Sequence, residues 1–258
     1  MSTKTQSDRV WETLRSDIIA SRVLPGSKLR INDIAETSEV SLGAVREALS
    51  RLSAEGLVIA ESQKGYRVAP LSAEELLDIT DARVEIERIA LSRSIARGDL
   101  EWETNLVAAW HRLSRTPERV PEDVRLVSDA WAVAHAGFHQ ALVSACGSAK
   151  LLQIRAQLYE QSERYRRYSG PVDNIRRDVE AEHQRIFDAA VARDVDAAMS
   201  AISDHLRRTA AILVTTPALE AKEPESIRRL KISTGADDIV GGGTASSRRE
   251  LALDPPAG

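Results

Sequence analysis

Between residues 8 and 22, Val10, Leu14 and Ile18 recur every four positions among polar neighbours. That spacing puts apolar side chains on one face of an α-helix. The turn Leu24-Pro25-Gly26 stops it. A second helix is predicted over 31–38, with Ile31, Ile34 and Ala35 inward. A third opens after Val40, with Ser41 as N-cap and Val45, Ala48, Leu49 and Leu52 on its buried face. Arg46 and Arg51 are left largely outside. After Gly56 the period changes. Leu57-Val58-Ile59-Ala60 and Tyr66-Arg67-Val68-Ala69 read as short strands around a polar tip, Glu61 to Gly65. A helix-turn-helix followed by a basic hairpin predicts a winged helix over residues 8–70, with Arg46, Lys64 and Arg67 converging on one face.

From residue 71 the pattern is helical almost throughout. Ser72, with Glu75 three positions on, predicts a capping box. Leu77, Val84 and Leu91 repeat at seven residues, and Ala82, Ile89 and Ala96 follow the same period. Together they predict a helix with a buried stripe that ends near Gly98. Further helical patterns cover about 100–115, 122–145, 148–167, 173–193 and 194–214, punctuated by Pro117, Pro121, Gly147, Gly170-Pro171 and Asp194. The expected fold class is therefore mainly α, a winged helix-turn-helix followed by an all-helical bundle over 73–215. Residues 217–258 contain no Phe, Trp or Tyr and are broken by Gly241-Gly242-Gly243 and Pro255-Pro256, which predicts a disordered tail.

Composition narrows the function classes. Hydrophobic residues make up 43% of the 258 and charged residues 29%, a globular balance. No apolar run approaches the ~18 residues of a membrane span. The leader, Met1 to Gln6, runs into charged residues with no apolar core. Cys146 is the single cysteine, which rules out an intrachain disulfide and a CxxC site. These features predict a cytoplasmic protein with no membrane partner. The net charge of −4 is unevenly divided: residues 1–70 hold 10 Lys/Arg against 9 Asp/Glu, and residues 71–258 hold 25 against 30. The N-terminal unit is the better candidate for an anionic partner.

His135 and His139 are four apart and share a helix face, while His183 and His205 fall on two later helices. His111, in Trp110-His111-Arg112, has no partner at ligand spacing. Imidazoles converging inside a helical bundle suit a divalent transition metal such as zinc, nickel or manganese, although spacing alone fits ordinary polar helix residues as well. No HExxH motif and no nucleophile–base spacing is present, so no enzyme is expected.

The string Leu29-Arg30-Ile31-Asn32-Asp33-Ile34-Ala35, then Val40-Ser41-Leu42-Gly43-Ala44-Val45-Arg46-Glu47-Ala48-Leu49, with Arg51-Leu52 and Glu55-Gly56-Leu57-Val58, resembles the operator-binding domain of the GntR family. The resemblance implies double-stranded operator DNA as partner. Ser41, Leu42, Gly43 and Arg46 would face the major groove, and Gly65 and Lys64 would lie at the wing tip. Lys28 and Arg30 themselves read either as phosphate contacts or as solvated charges, and Asn32 takes a further DNA-facing position. Leu42 and Asn32 depart from the family, which usually has Arg at the first and often at the second. Arg83-Val84-Glu85-Ile86-Glu87, Phe138-His139-Gln140-Ala141-Leu142, Glu182-His183 and the run to His205-Leu206 resemble the FCD effector domain of the FadR branch. That resemblance implies an FCD-type bundle with a metal on His139, His183 and His205. His135 stands where the family usually has Asp, and would either complete a four-His site or leave a three-His one.

The run His135 to Leu142, with Ala145-Cys146-Gly147-Ser148 and Glu163-Arg164-Tyr165-Arg166-Arg167, is similar to the sub-branch of carbon-starvation-induced regulators. This implies a small carboxylate effector, clamped by Arg83 first and Arg164 second. The alternative for Arg83 is simple pairing with Glu87 four positions on. The expected protein is a homodimeric repressor released by its effector. The alternatives are that the metal is the signal or is purely structural.

Overall fold

The structure is a computed structural model, and it describes residues 4–61, 65–169, 177–216 and 219. The chain divides into two compact units, up to Pro70 and from Leu71. The expected tail, 217–258, lies outside the described residues except for Leu219.

In the first unit, α1 (Gln6–Ile19), α2 (Ile31–Thr37) and α3 (Leu42–Ala54) are joined by β1 (Lys28–Leu29) and followed by β2 (Val58–Glu61) and β3 (Gly65–Val68). The apolar faces read from the sequence close one core: Val10, Leu14 and Ile18 meet Ile34, Val45, Leu49 and Leu52, with Leu57 and Val68 beneath. Helix α1 starts two residues earlier than its pattern. Thr5 and Asp8 form a reciprocal capping box there. It also stops earlier, where Ser21 takes φ 56°. The sheet has three antiparallel strands in the order β1-β3-β2 rather than two. Lys28 lies opposite Arg67. A two-residue strand carries too little pattern to be read alone.

The second unit holds α4 (Ala73–Arg97), α5 (Leu100–Ser114), β4 (Arg119–Val120), β5 (Asp123–Val127), α6 (Asp129–Val143), α7 (Ala149–Tyr168), α8 (Val179–Val191) and α9 (Val195–Val214). Helix α4 is the central element: it packs on α7 and α9 and touches α6, while α5 lies on α6 and α8 on α9. Phe138, Leu142, Leu106, Ile186, Ile202 and Leu91 fill the space between them.

Three expectations fail here. The helix read over 122–145 begins only at Asp129, because Ser128 caps it by accepting the Trp131 N–H at 3.4 Å. Ahead of it, Arg119 pairs with Val127 and Val120 with Asp123 in an antiparallel hairpin. The run Asp123-Val124-Arg125-Leu126-Val127 alternates with period two over its first four residues, which the helical reading overlooked. Second, the seven-residue series on α4 does not define its buried stripe. Leu77 and the whole series Ala82, Ile89, Ala96 are exposed, and the inward side chains include Leu76, Ile79, Val84, Leu91 and Ile95. Two seven-residue series do stay buried, Leu76-Arg83-Ala90 and Thr80-Glu87-Ser94, but they include polar residues, and which face turns inward is set by the packing of α7 and α9 on α4 rather than by the apolar repeat. The cap of α4 also differs. Ser72 accepts the Glu75 N–H at 3.1 Å, but the Glu75 carboxylate takes the Tyr165 hydroxyl, which in turn accepts the Ser72 N–H at 3.4 Å. Among the described residues no helix is long and apolar enough to cross a membrane.

Candidate functional site

The N-terminal unit presents the residues expected on DNA. Ser41 caps α3 by accepting the Ala44 N–H at 3.2 Å, and its own N–H donates to Gln6 Oε1. Beyond this cap, Leu42, Gly43 and Arg46 are exposed. Leu42, 41% exposed, is apolar with no core role, so packing does not explain it. Lys28, Arg30 and Asn32 are also exposed, and Gly65 has φ 92° with open space where a Cβ would sit. Lys64 lies outside the described residues. Two arginines depart from expectation. Arg67, read as part of the basic face, is held by Glu61 at 3.0 Å and by the Gly26 carbonyl. Arg51, read as lying outside, bonds Asp8 at 2.8 Å and lies over the Trp11 ring. Arg51 and Thr5 hold the Asp8 carboxyl down at about 2. Trp11 and Arg15 both donate to Glu55, which fixes α1 against the end of α3.

In the helical unit the four histidines come together. His135 and His139 lie on α6, His183 on α8 and His205 on α9, all buried. One ligand atom from each falls within a common 4.8 Å. His139 Nε2 is 3.2 Å from His135 Nε2 and 3.3 Å from His183 Nε2. Two nitrogens bound tetrahedrally at ~2.1 Å to one zinc ion would be about 3.4 Å apart, so these separations fit a metal's donor set. A neutral imidazole Nε2 carries either one proton or one lone pair, so His139 Nε2 cannot satisfy both contacts by ordinary hydrogen bonds, whereas an ion among the three nitrogens would use all three lone pairs. Burial is the main cause that holds all four imidazoles below their ordinary value; neighbouring imidazoles and arginines push them lower, and Glu182 pulls His205 and His183 partly back up without reversing the shift, so they are neutral at pH 7 with lone pairs free to ligate.

The outer partners orient two of the rings. His205 Nδ1 lies 2.9 Å from Glu182 Oε2, and His135 Nδ1 lies 3.1 Å from the Tyr159 hydroxyl. Glu182 also takes Arg177 at 3.0 and 2.5 Å and Arg208 at 3.0 Å. Burial pushes the Glu182 carboxyl up, but the bonds from His205, Arg177 and Arg208 outweigh it and hold the group ionised. A carboxylate behind a ligating imidazole is the usual way a metal site fixes its ring.

His135 and His205 also line a cavity of about 180 Å³. Arg83 reaches it from α4, with its Nη1 donating to Ser162 Oγ at 2.7 Å and its guanidinium 4.8 Å from the Tyr159 ring centre. Its Nε and Nη2 are buried with no hydrogen-bond partner, and Glu87 Oε1 is 3.5 Å from Nε. The expected pair with Glu87 is therefore present, but buried rather than on the helix surface, and Glu87 Oε1 shares it with a 3.0 Å bond from the buried Arg155, so the pair leaves the Arg83 Nη2 donors unanswered. Arg164, the second expected clamp, is buried but off the cavity wall, beside Tyr165 and Glu75. Its neighbour Arg166 takes the wall position, over the Trp131 ring at 4.9 Å and bonded to Glu163 at 2.8 Å. The signal was present, since Arg155, Tyr159, Ser162 and Arg166 follow helical spacing on α7. Arg177 falls in the helix read from 173, but α8 begins only at Val179 behind the Asp178 cap, so Arg177 sits ahead of the helix, where periodicity does not place it.

A profile of bacterial regulatory proteins of the gntR family matches residues 6–68, and one of the FCD domain matches residues 78–208. The chain belongs to the GntR family. It is a transcription regulator with a DNA-binding domain and an FCD effector domain, not an enzyme. The HTH-type transcriptional repressor GlaR of Escherichia coli strain K12 is 40% identical over 200 residues, 76% of this chain and 90% of that one. The HTH-type transcriptional regulator BphR of Paraburkholderia xenovorans strain LB400 is 37% identical over 206 residues, 80% of this chain and 84% of its own. Among solved structures, McbR/YncC of E. coli has a TM-score of 0.66 at 18% identity, with 82% of this chain and 98% of the other covered, a likeness of fold.

Proposed function

We propose that this GntR regulator is a homodimeric repressor whose grip on its operator is released by a small carboxylate bound beside a divalent transition metal, zinc, nickel or manganese. The observation that carries the reading is the shared cavity. Two histidines of the buried four-His cluster and a guanidinium with two unpartnered N–H donors face the same space. His139, His183 and His205 would hold the ion, with His135 either completing a four-His set around an ion that takes a fifth ligand or leaving that position open, and the ion would supply a Lewis-acidic seat for one carboxylate oxygen. Arg83 offers a planar pair of donors to the carboxylate from the α4 side, and Ser162 orients Arg83. Tyr159 fixes the His135 ring, while Glu182 and Arg177 fix His205.

Operator contacts fall to Ser41, Leu42, Gly43 and Arg46 on α3, with Lys28, Arg30, Asn32, Lys64 and Gly65 around them. A dimer is proposed because one winged helix reads too few bases for specificity. The same reading puts the protein in the cytoplasm, with the DNA. Repression follows the relative named as a repressor. For release, the carboxylate must bind the arrangement that does not fit the operator more tightly than the one that does. The test is to select an operator from random duplexes with the full chain, then follow its binding by fluorescence anisotropy. Loss of binding on adding carboxylate to metal-loaded protein supports the reading. Operator binding that no carboxylate alters contradicts it.

A further inference from the structure

His135 and His205 face the cavity just described, but His183 borders a different space. This second pocket, of about 280 Å³, is lined among others by Trp110, Ser114, Thr116, Glu118 and Glu180. Trp131 and Val179 belong to the walls of both spaces. His183 is 1% exposed, and its Nε2 faces the cluster, 3.3 Å from His139 Nε2, with Nδ1 at the other edge of the ring. Glu182 and Tyr159 hold the Nδ1 atoms of His205 and His135. Among the described residues no hydrogen bond holds His183 Nδ1, and unlike His139 Nδ1 it is not sealed in the core. A ligating imidazole is normally fixed through its second nitrogen. His183 is therefore the ring of the cluster best able to turn, and it stands beside an opening whose rim carries the exposed residues Arg115, Pro117 and Glu180.

Charge separates the two sides. The second pocket shares Glu118, Val179 and Glu180 with a surface groove that adds Asp178 and Arg177. Arg177 also lines the first cavity, and on both sides its charge is answered by Glu182. With that pair set aside, the first cavity presents Arg83, Arg119 and Arg166 against Glu118 and Glu163. The second pocket and its groove present Glu118, Asp178 and Glu180 against Arg115. A divalent cation is repelled on the first side and attracted on the second, and an anion experiences the reverse.

We propose that the pocket beside His183 is the passage by which a divalent cation reaches and leaves the four-His cluster. Glu118 and Glu180 attract the cation, Ser114 and Thr116 stand in the mouth, and the unanchored His183 ring turns to admit or release it. This rests on the reading of the cluster as a metal centre and adds the route. Metal exchange then proceeds on a different side of the cluster from the cavity that Arg83 lines, so a molecule held in that cavity does not block it.

The test follows zinc uptake and release by the full chain in stopped flow, with a chromophoric chelator as donor and then as trap. Thr116→Trp, at a half-buried position in the mouth, should slow uptake and release alike by about tenfold or more and leave their ratio unchanged, because a narrowed passage raises one barrier for both directions. Ser114→Phe repeats the block if the first variant does not fold. Ile212→Trp, on the wall of the first cavity, should leave both rates as in wild type. Glu180→Gln should slow uptake about threefold at low salt and have no effect at high salt. Blocking variants that exchange zinc as fast as wild type, blocking variants that bind zinc more weakly with uptake unchanged, or an equal slowing by Ile212→Trp overturns the passage. No zinc uptake by wild type overturns the metal reading of the cluster itself, so the two failures are distinguishable.

Discussion

Glu182→Gln tests the support behind the metal site while keeping the size of the side chain. Glu182 is 4% exposed and accepts from His205, Arg177 and Arg208. The Arg208 head is 60% exposed, so its share is close to nothing. Arg177 is 13% exposed, and removing its partner leaves a largely buried guanidinium uncompensated. One-sided loss of a buried pair costs roughly 3–5 kcal/mol. A neutral amide still accepts one bond, so about 3 kcal/mol is expected, or a Tm lower by ~6–12 °C for the transition of the helical unit. Independently, His205 loses the carboxylate that fixes its tautomer, and metal affinity should fall by about 10–100-fold. The sign of the pH dependence follows from Glu182 being held below its ordinary value. Its contribution is full above the unfolded value and is lost as pH falls through the folded one, so the gap between wild type and variant narrows in acid. The assay is competition with a chromophoric chelator together with melts of stripped and loaded protein. A variant that melts lower but binds metal as tightly as wild type would refute the orienting role of Glu182.

Arg46→Ala should weaken operator binding by ~1–3 kcal/mol by anisotropy at physiological salt, and unchanged affinity removes Arg46 from the readers. His139→Ala should lower metal stoichiometry by elemental analysis, whereas full occupancy strikes it from the ligands. Leu49→Ala, a truncation at a fully buried position in the winged-helix core, should cost about 2–5 kcal/mol by denaturant unfolding, with a loss under 1 kcal/mol contradicting the packing described. Stripped protein should lose stability as pH drops from 7 to 5. The four imidazoles are depressed in the fold and take up protons on unfolding, at up to ~1.4 kcal/mol per pH unit for each. A melt independent of pH over that range would contradict the buried neutral cluster.

Much of this was legible in the chain because it depends on local period and on residue type. The core faces of α1 and α3 follow helical spacing, and the Ser41 cap is a short-range signal. Ligand-type side chains on three helices could be recognised without knowing how those helices pack. The unread parts are those fixed by tertiary contact. Which face of α4 is buried depends on α7 and α9 flanking it, and the outcome left Leu77 exposed and Leu76 inside. Most of the hairpin at 119–127 lies inside the helix read from 122, because five residues of period-two pattern are too few to stand out beside a long helical one. Arg166 rather than Arg164 lines the cavity because two residues along a helix turn a side chain to a different face, and only the position of the cavity decides which one matters. Arg67 and Arg51 looked like free cations because their partners, the Gly26 carbonyl and Asp8, are 41 and 43 residues away.

The central claim is that one cavity couples metal and carboxylate. It is tested most directly by thermal melts of the full chain with a panel of mono- and dicarboxylates, in metal-loaded and chelator-stripped form. A ligand at ~100 times its dissociation constant stabilises by roughly 2.7 kcal/mol, a shift of about 5–10 °C in a protein of this size. The account predicts that shift in loaded protein and its loss on stripping. An equal shift without metal, or a shift from metal alone with none from any carboxylate, would contradict it.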